Sequence, residues 1–346
     1  MKQDSPPLFS TLYSRILAPA SACAGCGACV LVCPRDRLVF RDSRPEQVSG
    51  EKDRCPENRD GRCGLCAMVC PRLHEDEAAR AGGEPEIVAA RTTDPELAGT
   101  CQDGGLVSSI ARWGLESNRW SSFVGYARDE AWRPFPRVVT AGADVAGTAG
   151  SKYTYTPIHE ALSALYESGR ASAPFAMVGL PCHVAALRRL QQIRSKYVKG
   201  LDLCIGLFCM KAFSYERLIQ DRIVGRMQIP IQEVTAMDIR RGSLSLTTRS
   251  GAAHRIPLKE LGDAGHSGCA SCTDFPAELA DLSVGGLGTD GWTIALIRTE
   301  AGREVLQAVE ASGRIETADP ARFPKALELL GKLTVLKRKQ AVRARA

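Results

Sequence analysis

The sequence predicts two consecutive folded parts, a small cysteine-rich α+β domain followed by an α/β domain with a mixed sheet. Residues 21–75 hold eight cysteines but little continuous hydrophobic pattern, whereas from about residue 91 short apolar runs alternate with helical periodicity. Alternating strands and helices are typical of α/β folds. We therefore predict domains over residues 1–80 and 91–320, followed by a basic C-terminal tail over residues 321–346.

The spacing of apolar residues predicts the helices and strands of the second domain. Helical spacing of apolar residues predicts helices over 105–117, 158–168 and 302–312, and another after residue 181. Continuous or short apolar runs predict strands over 123–126, 175–180, 201–208, 282–284 and 293–297. Runs over 244–248 and 254–256 flank Ser250-Gly251 and predict a hairpin.

The number and clustering of the cysteines limit the classes of function that the chain can have. The 346-residue chain has fourteen cysteines, and its first twenty residues lack the apolar run of a secretory signal. Thiols stay reduced in the cytosol, where clustered cysteines usually bind metal or perform chemistry. There is no run of 18 apolar residues, so no transmembrane segment is predicted. We expect a cytoplasmic protein.

Positive charge is concentrated at the C-terminal end. Residues 322–346 hold eight Lys or Arg and one Glu, a net +7, so the rest of the +6 chain sums to −1. A solvated terminus is the ordinary interpretation. Docking onto an acidic partner, or peripherally onto the inner face of the cytoplasmic membrane, is the alternative. No aromatic-studded basic groove accompanies the tail, so nucleic-acid binding is not predicted.

Two cysteine motifs define the chemistry of the first domain: Cys23-x2-Cys26-x2-Cys29-x3-Cys33-Pro34 and Cys55-x7-Cys63-x2-Cys66-x3-Cys70-Pro71. They follow the bacterial ferredoxin pattern, in which the fourth cysteine of each motif ligates the other motif's cluster. We assign one 4Fe–4S cluster to Cys23, Cys26, Cys29 and Cys70, and a second to Cys33, Cys55, Cys63 and Cys66. The x7 spacing requires the loop after Cys55 to bulge outward. Tetrahedral zinc is the alternative, but zinc seldom explains two motifs of this length.

Six cysteines remain in the second domain. Cys182 and Cys209 follow predicted strands, where a parallel sheet places functional groups, and Cys269-x2-Cys272 is a pair. These four thiols can converge on a third cluster, but cysteine is also a common core residue, and spacing alone does not decide. We expect Cys204 to pack in the core and Cys101 to be a free thiol near a loop.

Several segments of the second domain are distinctive. They are Gln102-Asp103-Gly104-Gly105, Ser151-Lys152-Tyr153, Gly179-Leu180-Pro181-Cys182-His183, Gly206-Leu207-Phe208-Cys209, and residues 269–292, which end in Gly288-Thr289-Asp290-Gly291-Trp292. Together they resemble the beta-subunit family of coenzyme F420-reducing hydrogenases and F420-dependent dehydrogenases, from residue 91 to about 315. With the ferredoxin domain in front, the chain resembles the electron-input subunit of the archaeal complex that oxidises reduced F420 in methanogenesis.

The resemblance implies a flavoprotein. The second domain is expected to bind FAD beside a 4Fe–4S cluster held by Cys182, Cys209, Cys269 and Cys272, with coenzyme F420 as the substrate. The residues implied near the flavin are Gly104, Gly105, Ser151, Lys152, Tyr153, Pro181, His183, Glu278 and Asp281. For His183 a helix cap or core position is the alternative, and for Lys152 an ordinary surface lysine. Candidates for the coenzyme's acidic tail are Arg188, Arg189, Arg240 and Arg241.

The favoured function is an oxidoreductase that oxidises reduced F420 by hydride transfer to FAD. Electrons would then pass singly through the clusters to a redox partner protein or a membrane-bound electron-transfer complex. No catalytic side chain is nominated, because hydride transfer needs no general base. Three alternatives stay open: F420 reduction with a hydrogenase, formate dehydrogenase or sulfite reductase partner; a flavin-free iron–sulfur relay; and a flavin enzyme for a pigment precursor or nicotinamide.

Overall fold

The computed structural model describes residues 8–19, 21–41, 43–48, 63–75 and 84–345. The described residues form thirteen strands: β1 (Leu38–Arg41), β2 (Arg44–Gln47), β3 (Glu86–Thr92), β4 (Ser122–Arg128), β5 (Pro134–Val139), β6 (Phe175–Gly179), β7 (Leu201–Leu207), β8 (Val234–Arg240), β9 (Ser243–Thr248), β10 (Ala253–Pro257), β11 (Leu282–Gly285), β12 (Thr293–Ile297) and β13 (Ile315–Ala318).

The α-helices in the same ranges are α1 (Phe9–Leu12), α2 (Ala28–Leu31), α3 (Leu65–Met68), α4 (Pro95–Thr100), α5 (Leu106–Glu116), α6 (Ile158–Glu167), α7 (Pro181–Gln192), α8 (Glu300–Ala311) and α9 (Pro324–Arg345). Two π-helical segments span Tyr13–Leu17 and Glu216–Arg226. Short 3-10 turns include Pro71–His74 in the N-terminal domain and Ser267–Cys269 in the second domain.

Eight strands form one mixed sheet in the order β13-β3-β12-β11-β7-β6-β4-β5. The four neighbours β11, β7, β6 and β4 run parallel, and antiparallel strands extend the sheet on both sides. Apolar side chains of α5 and α8 cover one face, and those of α6 and α7 cover the other. Burial on both faces explains why β6 is a continuous apolar run. The predicted mixed sheet is confirmed.

A second, three-stranded antiparallel sheet has the order β10-β9-β8. Its β9–β10 pair is the hairpin predicted around Ser250-Gly251. Buried apolar residues of this sheet pack against the helical segment Glu216–Arg226 in a core separate from that of the large sheet. The small sheet therefore stands as a lobe beside the main α/β layers.

The N-terminal cysteine region packs directly on the α/β domain. Its hairpin β1–β2 is antiparallel, and Leu12, Leu31 and Val69 share one hydrophobic cluster with Ile158 and Leu187. The Ile158 amide also donates a hydrogen bond of 3.0 Å to the carbonyl of Cys26. The shared core fixes the position of the first cysteine motif relative to α6 and α7.

The C-terminal segment differs from the expected solvated terminus, because it forms the 22-residue helix α9. Most of its charged side chains are exposed, but Lys337 is only 2% exposed and is buried together with Ala326 and Ala341. In the part of the chain that the structure describes, no helix has both the length and the apolar character needed to cross a bilayer.

Candidate redox site

The first cysteine group is Cys23, Cys26, Cys29 and Cys70, which line one small cavity. Cys70, from the second sequence motif, thus lies with three cysteines of the first. All four thiols are buried. Gly27 precedes α2 with φ of 79°, a left-handed conformation that glycine adopts without strain and that curls the motif around the cavity.

Burial and mutual proximity oppose ionisation of these thiols. Burial raises the pKa of Cys70 to about 12, and it raises the pKa of Cys26 and Cys29 well above the ordinary value, with further contributions from the neighbouring thiols. A thiolate set of this kind needs positive charge at its centre, which iron of a 4Fe–4S cluster supplies. The residues present therefore fit that group.

The second cysteine group lines another small cavity and comprises Cys33, Cys63 and Cys66. Cys55, the predicted fourth ligand, lies outside the described residues. The Arg37 amide donates a hydrogen bond of 3.2 Å to the sulfur of Cys33, and such amide-to-sulfur bonds stabilise thiolates in iron–sulfur sites. The Cys66 thiol is close enough to raise the pKa of Cys29, although burial is the larger cause. The two groups are therefore neighbours.

The third cysteine group is Cys182, Cys209, Cys269 and Cys272. Cys182 lies in the first turn of α7, just after β6, and Cys209 follows β7, so both stand at the carboxyl ends of parallel strands. Cys269 ends a short helical turn, and Cys272 lies three residues further along the loop that leads to β11.

The four thiols of this group act on one another. Burial raises the pKa of Cys182 to about 12, with further contributions from Cys272 and Cys269. The pKa of Cys209 is likewise raised by burial and by the other three thiols. Among the described residues, no three His, Cys, Asp or Glu side chains converge closely enough to hold a single metal ion. Four cysteine thiols whose charges influence one another's pKa fit a 4Fe–4S cluster, which takes four cysteine ligands.

The first and third groups meet across the domain contact. The Cys182 thiol is near enough to contribute to the raised pKa of Cys26, after burial and the closer thiols. Arg72, directly after Cys70-Pro71, donates hydrogen bonds to the carbonyls of Gly268 (2.5 Å) and Ser271 (3.2 Å), on the loop that carries Cys269 and Cys272. A buried cation thus links the two groups.

Aromatic residues occupy the same contact. The hydroxyl of Tyr155 lies 3.9 Å from the sulfur of Cys182 and 3.3 Å from Nε2 of His183, and the Tyr155 ring stacks on His266 at 4.3 Å. His183 is buried, which lowers its pKa to about 3, and its Nδ1 accepts a hydrogen bond from the Leu180 amide. His183 therefore caps α7 as a neutral ring, and Pro181 is the first residue of that helix.

The remaining distinctive segments meet at the edge of the small sheet. The Gln102 amide group donates hydrogen bonds of 2.6 Å to both the Tyr153 hydroxyl and the Asp238 carboxylate, and it accepts one of 3.1 Å from the Ser151 amide. Arg240 forms ion pairs with Asp238 and with two carboxylates of the distinctive segments, Asp103 (3.6 Å) and Asp290. We call these six side chains, with the Ser151 amide, the motif network.

Glycines bring the motif network close to the third cysteine group. A Cβ at Gly286 would collide with the carboxylate of Asp103, and one at Gly285 would collide with the ring of Phe208, the residue before Cys209. A Cβ at Gly104 would lie 2.5 Å from the Thr293 amide nitrogen. Gly105, with φ of 72°, precedes α5. These glycines allow the backbone of β11 and β12 to approach side chains of the network.

The side chains of three residues implied near the flavin form hydrogen bonds or ion pairs within the protein. The Lys152 ammonium donates hydrogen bonds to the carbonyls of Thr148, Ala149 and Gly150, and burial lowers its pKa to about 8. Asp281 pairs with Arg188 at 2.8 Å, and Glu278 pairs with Arg338 of α9. Asp281 also accepts hydrogen bonds from the Cys204 amide of β7 (2.8 Å) and from the Thr299 hydroxyl before α8 (2.9 Å), and none of these partners belongs to the motif network.

Sequence reasoning missed the polar residues between the cysteine groups: Arg72, Tyr155, His266 and Lys337. The sequence does point to Arg72, because it directly follows a Cys-Pro pair. No sequence feature identifies the other three, because they come near the cysteines only when distant segments pack together.

Comparison with known proteins identifies the architecture. Residues 22–73 match the 4Fe–4S dicluster domain. Residues 87–163 match the N-terminal model, and residues 173–322 the C-terminal model, of the coenzyme F420 hydrogenase/dehydrogenase beta subunit. The chain belongs to the coenzyme F420 hydrogenase/dehydrogenase beta-subunit family. The resemblance predicted from the distinctive segments is confirmed.

Individual relatives match two thirds or more of this chain. The chain is 33% identical to a subunit of the F(420)H(2) dehydrogenase of Methanosarcina mazei, over 69% of this chain and 66% of that protein, just under two thirds. It is 33% identical to the beta subunit of the coenzyme F420 hydrogenase of Methanococcus voltae, over 75% of this chain and 93% of that protein. A chain of the F420-reducing [NiFe] hydrogenase complex from Methanosarcina barkeri superposes with a TM-score of 0.71 at 29% identity, covering 76% of this chain and 91% of that one.

Single cysteine substitutions test the grouping. We expect Cys70→Ala to lose about four of about twelve irons and to leave the same EPR spectrum as Cys23→Ala, because both thiols line one cavity. Cys33→Ala and Cys63→Ala should share a different residual spectrum, and Cys209→Ala a third. Cys204→Ala is the matched control and should keep all its iron. A Cys70→Ala spectrum that matches Cys63→Ala would contradict the grouping.

Proposed function

We propose that this member of the family oxidises reduced coenzyme F420 by hydride transfer to FAD and delivers single electrons through three 4Fe–4S clusters to a redox partner. The observation that carries the proposal is the succession of cysteine groups. The third lies beside the motif network, the first lies against the third, and the second lies against the first. A succession of closely spaced centres is what single-electron transfer requires.

The cofactors divide the chemistry in this proposal. FAD would supply the conversion of a hydride into single electrons, and the clusters would carry those electrons one at a time. The protein supplies position and electrostatics. The third group stands at the carboxyl ends of β6 and β7, which is where open α/β sheets bind ligands.

We place the flavin against the motif network. Gly150, Gly288 and Gly291 all have positive φ, and a Cβ at any of them would meet no atom of the described residues within 4 Å. Their open backbone borders Ser151 and Asp290, so a flat ring can approach there without side-chain obstruction. Tyr153, held by Gln102 and by the Ile239 amide at 3.0 Å, would contribute a fixed polar edge.

The acidic tail of F420 has fewer candidate partners than the sequence suggests. Arg188 pairs with Asp281, Arg189 donates a hydrogen bond of 2.9 Å to the carbonyl of Met68, and Arg240 is neutralised by the carboxylates of the motif network. Arg241 is exposed at the start of the β8–β9 turn. We therefore assign attraction of the tail to Arg241.

The reverse reaction, reduction of F420 with electrons from a partner, is the second candidate. It is favoured by the resemblance to hydrogenase beta subunits and would use the same sites in the opposite order. Cluster and flavin potentials decide between the two directions.

Anaerobic assay of the iron-reconstituted protein tests the proposal. We expect about twelve irons and one FAD per chain, and bleaching of the flavin spectrum when reduced F420 is added. Cys269→Ala should still show flavin bleaching but should reduce the ferredoxin-type clusters much more slowly, while Cys204→Ala should behave as wild type. Absence of flavin and of any reaction with F420 would reduce the chain to an iron–sulfur relay.

We also propose that α9 holds the protein peripherally at an anionic membrane surface, near a membrane-bound partner. Its outer face combines exposed cations, which an anionic surface attracts, with exposed apolar side chains that can enter the headgroup region. The cations are Lys325, Lys332, Lys339 and Arg343, and the apolar residues are Leu329, Val335, Leu336 and Val342.

Vesicle sedimentation tests this docking. The protein should bind vesicles of phosphatidylcholine with phosphatidylserine and not phosphatidylcholine alone. Changing Lys325, Lys339 and Arg343 to Gln should weaken binding on the order of a hundredfold, because each cation near the surface contributes about 1 kcal/mol. The matched control, Arg249, Arg255 and Lys259 changed to Gln on the small sheet, should bind normally. Equal binding by both triple variants would exclude α9 as the docking surface.

A further inference from the structure

Helix α9 lies beyond the part of the chain that matches the family models, which ends at residue 322. It nevertheless contacts both domains at the third cysteine group. Arg345 donates hydrogen bonds to the Ser271 carbonyl and pairs with Glu75 of the N-terminal domain, and Arg338 pairs with Glu278. The second half of this helix is therefore tied to the loop that carries Cys269 and Cys272 and to its surroundings.

Lys337 is the buried member of this set. Its side chain is 2% exposed, and its ammonium donates hydrogen bonds to the carbonyls of Met210 and of Cys269 (3.3 Å). Met210 follows Cys209 directly, so the ammonium reaches the backbone beside two of the four thiols. Its positive charge opposes the rise in the pKa of Cys209.

Among the described residues, no acidic side chain compensates the positive charge of Lys337. Both hydrogen-bond acceptors are neutral carbonyls, and within the described ranges no carboxylate forms an ion pair with it. A buried ammonium of this kind is costly unless negative charge lies nearby. The four thiols of the third group, once they hold a cluster as thiolates, would supply that negative charge.

We propose that Lys337 is a positioning residue that holds a fixed positive charge against the third cluster and thereby raises that cluster's reduction potential. The inference rests on the third cluster of the proposed function. A cluster held by these four thiols would gain one negative charge on accepting one electron from the flavin side, with no bond formed or broken. The positive charge of the ammonium favours that reduced form. Charge and hydrogen bonding near the sulfurs are recognised determinants of cluster potentials.

Redox titration monitored by EPR tests the inference. The third-cluster signal is assigned by its loss in Cys269→Ala. Lys337→Gln keeps a donor for the two carbonyls but removes the charge, and Lys337→Met keeps the apolar volume of the side chain. In both we expect the electron occupancy of the third cluster at fixed potential to shift about tenfold toward oxidised, equivalent to about 59 mV for a one-electron couple. Lys337→Arg should restore the wild-type potential.

The matched control is Lys259→Gln, which removes one exposed lysine charge beside the small sheet and should leave all potentials unchanged. Unchanged third-cluster potentials in both neutral variants would overturn the inference. If both neutral variants lose the third cluster while Lys337→Arg keeps it, the positive charge is required for the site, which supports the inference. Loss of the cluster in Lys337→Arg as well would indicate a role in shape and would overturn it.

Iron content separates this inference from the proposed function. About twelve irons in the wild type with unchanged potentials in the variants would overturn the role of Lys337 alone. About eight irons would overturn the third cluster, and the inference with it.

Discussion

Everything in this protein depends on the contact between the first cysteine motif and the carboxyl ends of the parallel strands. The Cys26 carbonyl accepts a hydrogen bond from the first residue of α6, and the Cys26 thiol lies within electrostatic reach of Cys182 on α7. A shared hydrophobic cluster holds this contact. Because the core is continuous across the two domains, the spacing of the redox centres is set by side-chain packing and not by a linker.

The second constraint is charge. Burial and neighbouring thiols oppose ionisation of Cys26, Cys29 and Cys70 in the first group and of Cys182 and Cys209 in the third. The protein places cations between and beside the groups. Arg72 bridges the first and third groups through backbone carbonyls, and Lys337 reaches the third from the opposite end of the chain. These cations offer a physical means of ordering the cluster potentials.

Local pattern was sufficient to predict five of the eight strands of the large sheet and helices α5 to α8, but not β3, β5, β13 or α9. The parallel strands β6 and β7 are buried on both faces and so appear as apolar runs, and α5 and α8 have clear helical periodicity. The cysteine motifs could be grouped because ferredoxin spacing is restrictive. The burial of Lys337 could not be predicted, since α9 carries several basic residues along its length and only tertiary packing singles out one lysine. The backbone-capping roles of His183 and Lys152 could not be predicted for the same reason. Whether a polar side chain bonds the backbone or faces a ligand depends on neighbours distant in sequence.

The most direct test of the central claim, that the first and third clusters are neighbours, is the EPR spectrum of the fully reduced protein. We expect magnetic coupling between the two clusters, seen as broadened or split signals. These should simplify when Cys269→Ala removes the third cluster. A wild-type spectrum equal to the sum of three independent clusters would contradict the arrangement, and with it the proposed route of electrons from the flavin to the ferredoxin domain.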